Sequence, residues 1–172
     1  MSDHLDPDPL ASGLDITIRT GTGSARTSLA AFDTALLDAG VANFNLITLS
    51  SVIPPKSRVR QVDVPLGGNH GDRLYCVLSS VSTEQPGQTV WAGLGWAVDE
   101  TTTGGLFVEH HGATREELAD RITASLEDMS RNRGGGYDEI RMATTSATCV
   151  DVPVCALAIA TYAVAPWGLD ER

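Results

Sequence analysis

The chain has 172 residues, with 22 acidic and 12 basic side chains and a formal net charge of −10. This length is sufficient for one domain with a substantial core, and the apolar and charged fractions are typical of a soluble globular protein. The acidic balance and the lack of a basic patch argue against a nucleic-acid partner and favour small cationic ligands. Since no apolar stretch reaches membrane-spanning length, no membrane partner is expected.

Residues 1–13 predict a flexible N-terminal tail, because they combine prolines and acidic residues without the cationic start and apolar core of a signal peptide. The three cysteines, Cys76, Cys149 and Cys155, have no metal-type spacing and are odd in number. We expect them to be small apolar residues in strands. Together these features indicate a cytoplasmic protein in a reducing environment.

The first part of the chain predicts a strand, a turn and a helix in succession. Alternating polarity indicates a strand at Leu14–Thr20, and residues 21–25 indicate a turn. The helix begins after Thr27 or Ser28 as the N-cap, and Gly40 is well placed to end it. Its predicted buried face consists of apolar residues at helical spacing, namely Leu29, Phe32, Leu36 and Ala39.

The middle of the chain is predicted to be mostly β-structure. The run from Phe44 to Leu49 has the length and β-branched content of a buried strand, and residues 56–71 are mostly irregular. Two long β patterns follow at residues 73–81 and 89–99. The sequence Glu84-Gln85-Pro86-Gly87 between them is typical of a hairpin turn.

The last part predicts a second helix among further strands. Thr114 and Glu117 form a capping box at its start, and it extends to about Arg131, before the glycines at 134–136. Its core stripe consists of Leu118, Ile122, Leu126 and Met129. Three further strands are predicted, at residues 104–111, 139–150 and 154–164. About seven strands and two helices indicate an α+β sandwich in which helices cover the faces of the sheets.

Two adjacent serines, Ser50 and Ser51, stand between the predicted strand and the sequence Val-Ile-Pro-Pro. Proline fixes its own φ, lacks an N–H group and moves the preceding residue out of the helical region. The backbone at the serines therefore leaves a strand and does not enter a helix. This arrangement suits a strained peptide bond with a hydroxyl group beside its carbonyl, although serines before prolines are also ordinary loop composition.

An ordered series of motifs extends from the first helix to the serines and prolines. It consists of Ala31-Phe32-Asp33-Thr34-Ala35-Leu36, Ala39-Gly40-Val41, Asn45-Leu46 and Ser50-Ser51-Val52-Ile53-Pro54-Pro55. This series resembles the pyruvoyl-dependent arginine decarboxylase family, and the resemblance continues more weakly to the end of the chain. It implies a four-layer αββα sandwich with mainly antiparallel sheets and a homotrimer whose sites lie between subunits. It also implies decarboxylation of L-arginine to agmatine and CO₂, as in polyamine synthesis.

The resemblance implies that residues 14–172 form one domain that cuts itself between Ser50 and Ser51. Attack of the Ser51 hydroxyl on the Ser50 carbonyl, β-elimination and hydrolysis would leave a short chain 1–50 and a chain 51–172 that begins with a pyruvoyl group. This covalent cofactor, derived from Ser51, would form a Schiff base with the substrate amine and accept the electrons released with CO₂. Pyridoxal phosphate is less favoured, because Lys56 is the only lysine and no Gly-rich phosphate cradle is present.

The same resemblance assigns the remaining site residues. Asn45, rather than Asn43, belongs to the active site, and Glu109 is the general acid, at the end of an apolar strand where desolvation would raise its pKa. Asp33, rather than Asp38, is expected to bind the substrate guanidinium. Without the resemblance, each has a plainer interpretation as a locally bonded amide or a solvated carboxylate. Whether Glu109 and the pyruvoyl group come from one subunit or two is left open.

Other functions remain as alternatives at this point. His110 and His111 are not expected to bind a metal, because adjacent residues on a strand point to opposite faces of the sheet. The same chemistry on another amino acid, or an unprocessed binding or structural protein of the same fold, would fit the sequence. A serine–histidine hydrolase is disfavoured because no Gly-x-Ser-x-Gly sequence is present.

Overall fold

The structure, a computed structural model, describes residues 13–99 and 104–167. The predicted tail therefore lies outside the described residues, except for Gly13. Within these ranges the chain forms two helices, α1 (Ser28–Asp38) and α2 (Arg115–Asn132). It also forms nine strands, β1 (Asp15–Ser24), β2 (Asn45–Thr48), β3 (Val52–Ile53), β4 (Arg58–Gln61), β5 (Arg73–Thr83), β6 (Thr89–Val98), β7 (Gly105–Gly112), β8 (Arg141–Thr148) and β9 (Val154–Ala165). The short strands β3 and β4 were not predicted, because they are too short to show an alternation of polar and apolar residues.

The strands form two sheets that face each other. The first sheet has the order β2-β5-β9-β1-β4 and the second has the order β3-β7-β6-β8. Apolar side chains of both sheets, including Ile18, Leu94 and Phe107, meet in the core between them. Helix α1 packs on the outer face of the first sheet and α2 on the outer face of the second. The predicted α+β sandwich with four αββα layers is thereby confirmed.

Both helices begin at the predicted N-caps. The hydroxyl of Thr27 accepts a hydrogen bond from the Ala30 N–H at 3.2 Å, and the hydroxyl of Thr114 accepts one from the Glu117 N–H at 3.1 Å. These bonds satisfy N–H groups that have no acceptor within the helix. Gly40 follows the end of α1 with a φ of +71°, a conformation that glycine adopts without strain.

The buried face of α1 differs from the prediction. Leu29, predicted to be buried, is 79% exposed, whereas Ala31 and Ala35 are fully buried. The reason is that β1 does not turn at residue 21 but continues beneath the helix. A Cβ atom at Gly23 would overlap the carbonyl oxygen of Ala31, so the two backbones are in direct contact. Only small residues fit this contact, and the larger Leu29 faces outward.

The predicted hairpin at residues 84–87 is wrong. Strand β5 pairs with β2 and β9, whereas β6 pairs with β7 and β8 in the other sheet. The loop therefore crosses between the sheets, and the Gly87 N–H donates to the Cys149 carbonyl at 2.8 Å. Turn composition indicates where a strand ends, but it does not identify the sheet that the next strand joins.

The predicted burial of the strand before the serines is also wrong. Strand β2 is an edge strand that pairs only with β5, and Asn45, Ile47 and Thr48 are exposed. The chain then crosses to β3 in the second sheet. Residues 50 and 51 lie in this crossover, between the two sheets.

Two of the three cysteines lie in strands as predicted, Cys76 in β5 and Cys155 in β9, whereas Cys149 follows the end of β8. Cys76, Cys149 and Cys155 are buried free thiols, and burial raises the pKa of Cys76 to about 11. Such a thiol is unreactive at neutral pH. In the part of the chain that the structure describes, no helix is both long and apolar enough to span a bilayer.

Candidate active site

Ser51 occupies a strained position at the crossover between the sheets. It is 8% exposed, and its φ is +69°, a value that non-glycine residues rarely adopt. Its carbonyl accepts a hydrogen bond from the Phe107 N–H at 2.8 Å, and Val52 then pairs with Leu106 in β7. Strain of this kind costs about 1–3 kcal/mol and persists only where the surroundings impose it. The strain expected from the flanking prolines is therefore located at the second serine.

Glu109 meets this serine directly. The Ser51 hydroxyl donates a hydrogen bond to Oε1 of Glu109 at 2.6 Å. Both residues come from the same chain, and Glu109 lies two positions after Phe107 on β7, which places its side chain beside the crossover. Glu109 is exposed in this chain, so the desolvation expected at the strand end is absent here. A carboxylate at this distance can accept the hydroxyl proton when Ser51 acts as a nucleophile.

Tyr162 completes the crossover, and sequence reasoning missed it. Its hydroxyl donates a hydrogen bond to the Val52 carbonyl at 3.0 Å. Burial raises the pKa of Tyr162 far above its ordinary value, and the charge of Glu109 raises it further, so the phenol remains protonated. The pairing of β5 with β9 shifts register between Tyr75 and Cys76, which leaves Tyr162 as the bulged residue of β9. A bulge redirects a side chain, and an apolar run gives no sign of one.

Asn45 lies at the other end of β2 from the crossover. Its Nδ2 donates a hydrogen bond to the Gly71 carbonyl at 2.6 Å, and its backbone N–H donates to the Asp72 carbonyl at 2.8 Å. The indole of Trp167 donates to the same Gly71 carbonyl at 2.7 Å. Within one chain, the amide of Asn45 therefore bonds to a backbone carbonyl, although that carbonyl belongs to a residue 26 positions away and not to a local one.

Asp33 lies on the exposed surface of α1. Across residues 13–99 and 104–167, no hydrogen bond or ion pair engages its carboxylate. Asp38 differs, since its Oδ2 accepts a hydrogen bond from the Thr22 N–H at 2.8 Å. Asp33 is thus the acid of α1 that is open to a ligand, but one chain does not bring it into contact with Ser51 and Glu109.

The two histidines after Glu109 have separate environments. Nε2 of His110 lies 2.8 Å from the Ser125 hydroxyl on α2, and burial followed by the charge of Arg121 lowers the pKa of His110. His111 is exposed. Among the residues whose positions are described, no three His, Cys, Asp or Glu side chains are close enough together to hold a metal ion.

The surroundings of Ser51 fit a pyruvoyl group formed in place. The Phe107 N–H holds the carbonyl of residue 51, and Tyr162 fixes the carbonyl of the next residue. Glu109 is within hydrogen-bonding distance of the side-chain position that the group would occupy. Residues 51 and 52, which make these contacts, stay together after a cut between residues 50 and 51. The contacts therefore do not depend on the bond to Ser50.

Comparison with known proteins identifies the family. The family model for pyruvoyl-dependent arginine decarboxylase matches residues 15–164. A pyruvoyl-dependent arginine decarboxylase from Thermococcus kodakarensis is 35% identical over 145 residues, which cover 83% of this chain and 90% of that protein. One from Halobacterium salinarum is 37% identical over 151 residues, which cover 86% of this chain and 92% of that protein. The chain therefore belongs to the pyruvoyl-dependent arginine decarboxylase family, whose members are carboxy-lyases with a covalently bound pyruvoyl cofactor.

Proposed function

We propose that this protein cuts its own chain between Ser50 and Ser51 and then converts L-arginine to agmatine and CO₂. The observation that carries the proposal is the 2.6 Å hydrogen bond from the Ser51 hydroxyl to Glu109, at a buried residue with positive φ. The names of its relatives support arginine as the substrate. Cytoplasmic location stays a prediction, with which the buried free thiols agree.

In the cutting step, the Ser51 hydroxyl oxygen attacks the carbonyl carbon of Ser50. Its proton passes to Glu109, and the peptide bond becomes an ester as the nitrogen of residue 51 takes up a proton. Loss of the Cα proton of residue 51 then breaks the Cβ–Oγ bond, which releases Ser50 as a carboxylate and leaves dehydroalanine. Water hydrolyses this group to a ketone and ammonia. The products are chain 1–50 and a pyruvoyl-capped chain 51–172 within one domain, residues 14–172.

In the decarboxylation, the pyruvoyl group would supply a ketone that condenses with the substrate amine and accepts the electron pair left on the substrate carbon when CO₂ departs. We assign to Glu109 the donation of a proton to the carbon that loses CO₂, and its hydrogen bond with Ser51 supports this role. Tyr162 keeps the backbone after residue 51 in position through the Val52 carbonyl. The side chain of Asp33 offers the carboxylate that a guanidinium group requires.

A homotrimer would bring these parts together. Asp33 on α1 and Asn45 on β2 are both exposed in the single chain. Large apolar side chains are also exposed nearby, with Leu37 60%, Ile47 36% and Val52 48% exposed. Exposed apolar groups beside a site favour an interface. We propose that Asp33 and Asn45 of one subunit face Ser51 and Glu109 of another.

The test is release of CO₂ from L-arginine, L-lysine and L-ornithine by the purified wild-type protein and by Ser51→Ala. We expect the wild type to release CO₂ from L-arginine and Ser51→Ala to release none. Preference for lysine or ornithine would assign the same chemistry to another substrate, and equal release by Ser51→Ala would exclude the pyruvoyl mechanism. Light scattering of the same preparation tests the trimer, which a monomeric mass would contradict.

A further inference from the structure

A second feature of the first sheet, the buried cation Arg19, has no part in the chemistry above. Arg19 belongs to β1 and is 4% exposed. Its neighbour Ile18 points into the core between the sheets, so Arg19 points to the opposite face, the one that α1 partly covers. A buried arginine remains charged at every physiological pH, so its charge requires compensation.

The described part of the chain supplies only neutral acceptors to this side chain. Nε of Arg19 donates to the Val64 carbonyl at 3.2 Å. Nη1 donates to the Thr161 hydroxyl at 3.0 Å and also to the Thr17 hydroxyl. The three ion pairs among the described residues involve other arginines. Nη2 thus has two N–H groups without an acceptor in residues 13–99 and 104–167.

The charged groups near Arg19 do not neutralise its positive charge. Burial lowers the pKa of Arg19, and the positive charge of Arg60 lowers it further, with no carboxylate acting in the opposite direction. Arg60 itself pairs with Asp15, at 2.7 Å between Nη2 and Oδ2. Two arginines and one aspartate leave a single net positive charge. A largely buried charge without a counter-ion is unfavourable, and an anion bound in contact with it would reduce that cost.

A cavity of about 250 Å³ opens at this point. Its polar side carries Arg19, Arg60, Thr17 and Thr161. Its apolar side is formed by Leu66, Leu74, Ala163 and Val164. The volume suits a small molecule with one charged end and a short apolar chain.

We propose that this cavity binds a small monocarboxylate, whose carboxylate lies against Nη2 of Arg19 and whose short chain lies against Leu66 and Leu74. Planar guanidinium and carboxylate groups match in geometry, and one negative charge balances the net charge of the cavity. A phosphate dianion is less suitable, because Asp15 lines the same cavity and the whole chain carries a net charge of −10. Tyr162, which bonds to the Val52 carbonyl at the crossover, also lines this cavity, whereas Ser51 and Glu109 do not line it.

The test is calorimetric titration of the purified protein with sodium butyrate at constant ionic strength. We expect saturable binding to the wild type and to the control Arg58→Met, which removes an exposed arginine that does not line the cavity. We expect no detectable binding to Arg19→Met and at least tenfold weaker binding to Arg19→Lys, which keeps the charge without the planar donor group. Circular dichroism checks that each variant is folded. If Arg19→Met does not fold, the result for Arg19→Lys decides the test.

Absence of saturable butyrate binding to the wild type would overturn the proposal, as would unchanged binding to both Arg19 variants. Titration with inorganic phosphate tests whether the cavity prefers a phosphate or a carboxylate. Tighter binding of phosphate than of butyrate would contradict the assignment of a carboxylate. None of these outcomes depends on chain cutting or on arginine turnover.

Discussion

The crossover at Ser51 and the edge group, which consists of Asp33 on α1 and Asn45 on the edge strand β2, differ in how completely one chain assembles them. At the crossover, hydrogen bonds link Ser51 to Glu109 and Val52 to Tyr162. At the edge, Asp33 and Asn45 are exposed, and no direct contact joins them to Ser51 among the described residues. The proposed function therefore assigns chain cutting to the groups of one subunit and arginine binding to groups of two subunits.

The most severe way to break the crossover is Ser51→Ala. Without the hydroxyl there is no nucleophile and no ketone, so we expect an uncut chain and complete loss of CO₂ release from L-arginine. A denaturing gel and the CO₂ assay measure the two effects. The matched control is Ser50→Ala, which keeps the nucleophile and should still be cut. An uncut Ser50→Ala with a cut Ser51→Ala would reverse the assignment of the two serines.

Glu109→Gln separates the two roles proposed for this carboxylate, which are to accept the Ser51 proton during cutting and to donate a proton during decarboxylation. The amide oxygen still accepts a hydrogen bond from Ser51, so we expect the chain to be cut, although more slowly. The amide cannot donate a proton as an acid does, so kcat for arginine should fall by about 10²- to 10⁴-fold. Single-turnover kinetics on fully cut protein measures this fall. An unchanged kcat would show that Glu109 is not the proton donor.

Asp33→Asn removes the exposed carboxylate of α1 and leaves the hydrogen bonds at the crossover unchanged. We expect normal cutting and a KM for arginine that rises by about 10- to 100-fold, because a hydrogen-bonded charge pair is worth about 1.5–3 kcal/mol. Asp38→Asn is the control on the same helix, since Asp38 is engaged by the Thr22 N–H. Equal KM values in the two variants would remove Asp33 from the substrate site.

The smallest effect is expected from Tyr162→Phe, which removes one hydrogen bond at the crossover. In the uncut Ser51→Ala background, it should lower the free energy of unfolding by about 0.5–1.5 kcal/mol, as measured with urea. In the otherwise wild-type chain, cutting should slow several-fold. The control is Tyr137→Phe, whose hydroxyl makes no hydrogen bond within the described ranges. If both variants cut at the wild-type rate, Tyr162 does not position the crossover.

The sequence predicted features that depend on local chemistry. The helix starts at Thr27 and Thr114 were predictable because a capping hydroxyl acts on N–H groups within three residues. The strain near the serines was predictable only in part, because the restriction by Pro54 acts on Ile53, whereas the positive φ belongs to Ser51, two residues earlier. The resemblance supplied Glu109, and the structure placed it against Ser51.

Features that depend on distant pairing were not predictable. The exposure of Leu29 follows from the contact between Gly23 and Ala31, which requires the register of β1 beneath α1. The loop at residues 84–87 has hairpin composition but joins two sheets. In the sequence, Tyr162 has the pattern of an ordinary core aromatic residue. Only the bulge in β9 directs its hydroxyl toward the Val52 carbonyl.

Intact-mass measurement of the purified wild-type protein tests the central claim most directly. Self-cutting at Ser51 predicts two species, residues 1–50 and residues 51–172, the second lighter than its sequence by one ammonia and increased in mass by borohydride reduction of its ketone. A single species with the mass of residues 1–172, unaffected by borohydride, would contradict the claim.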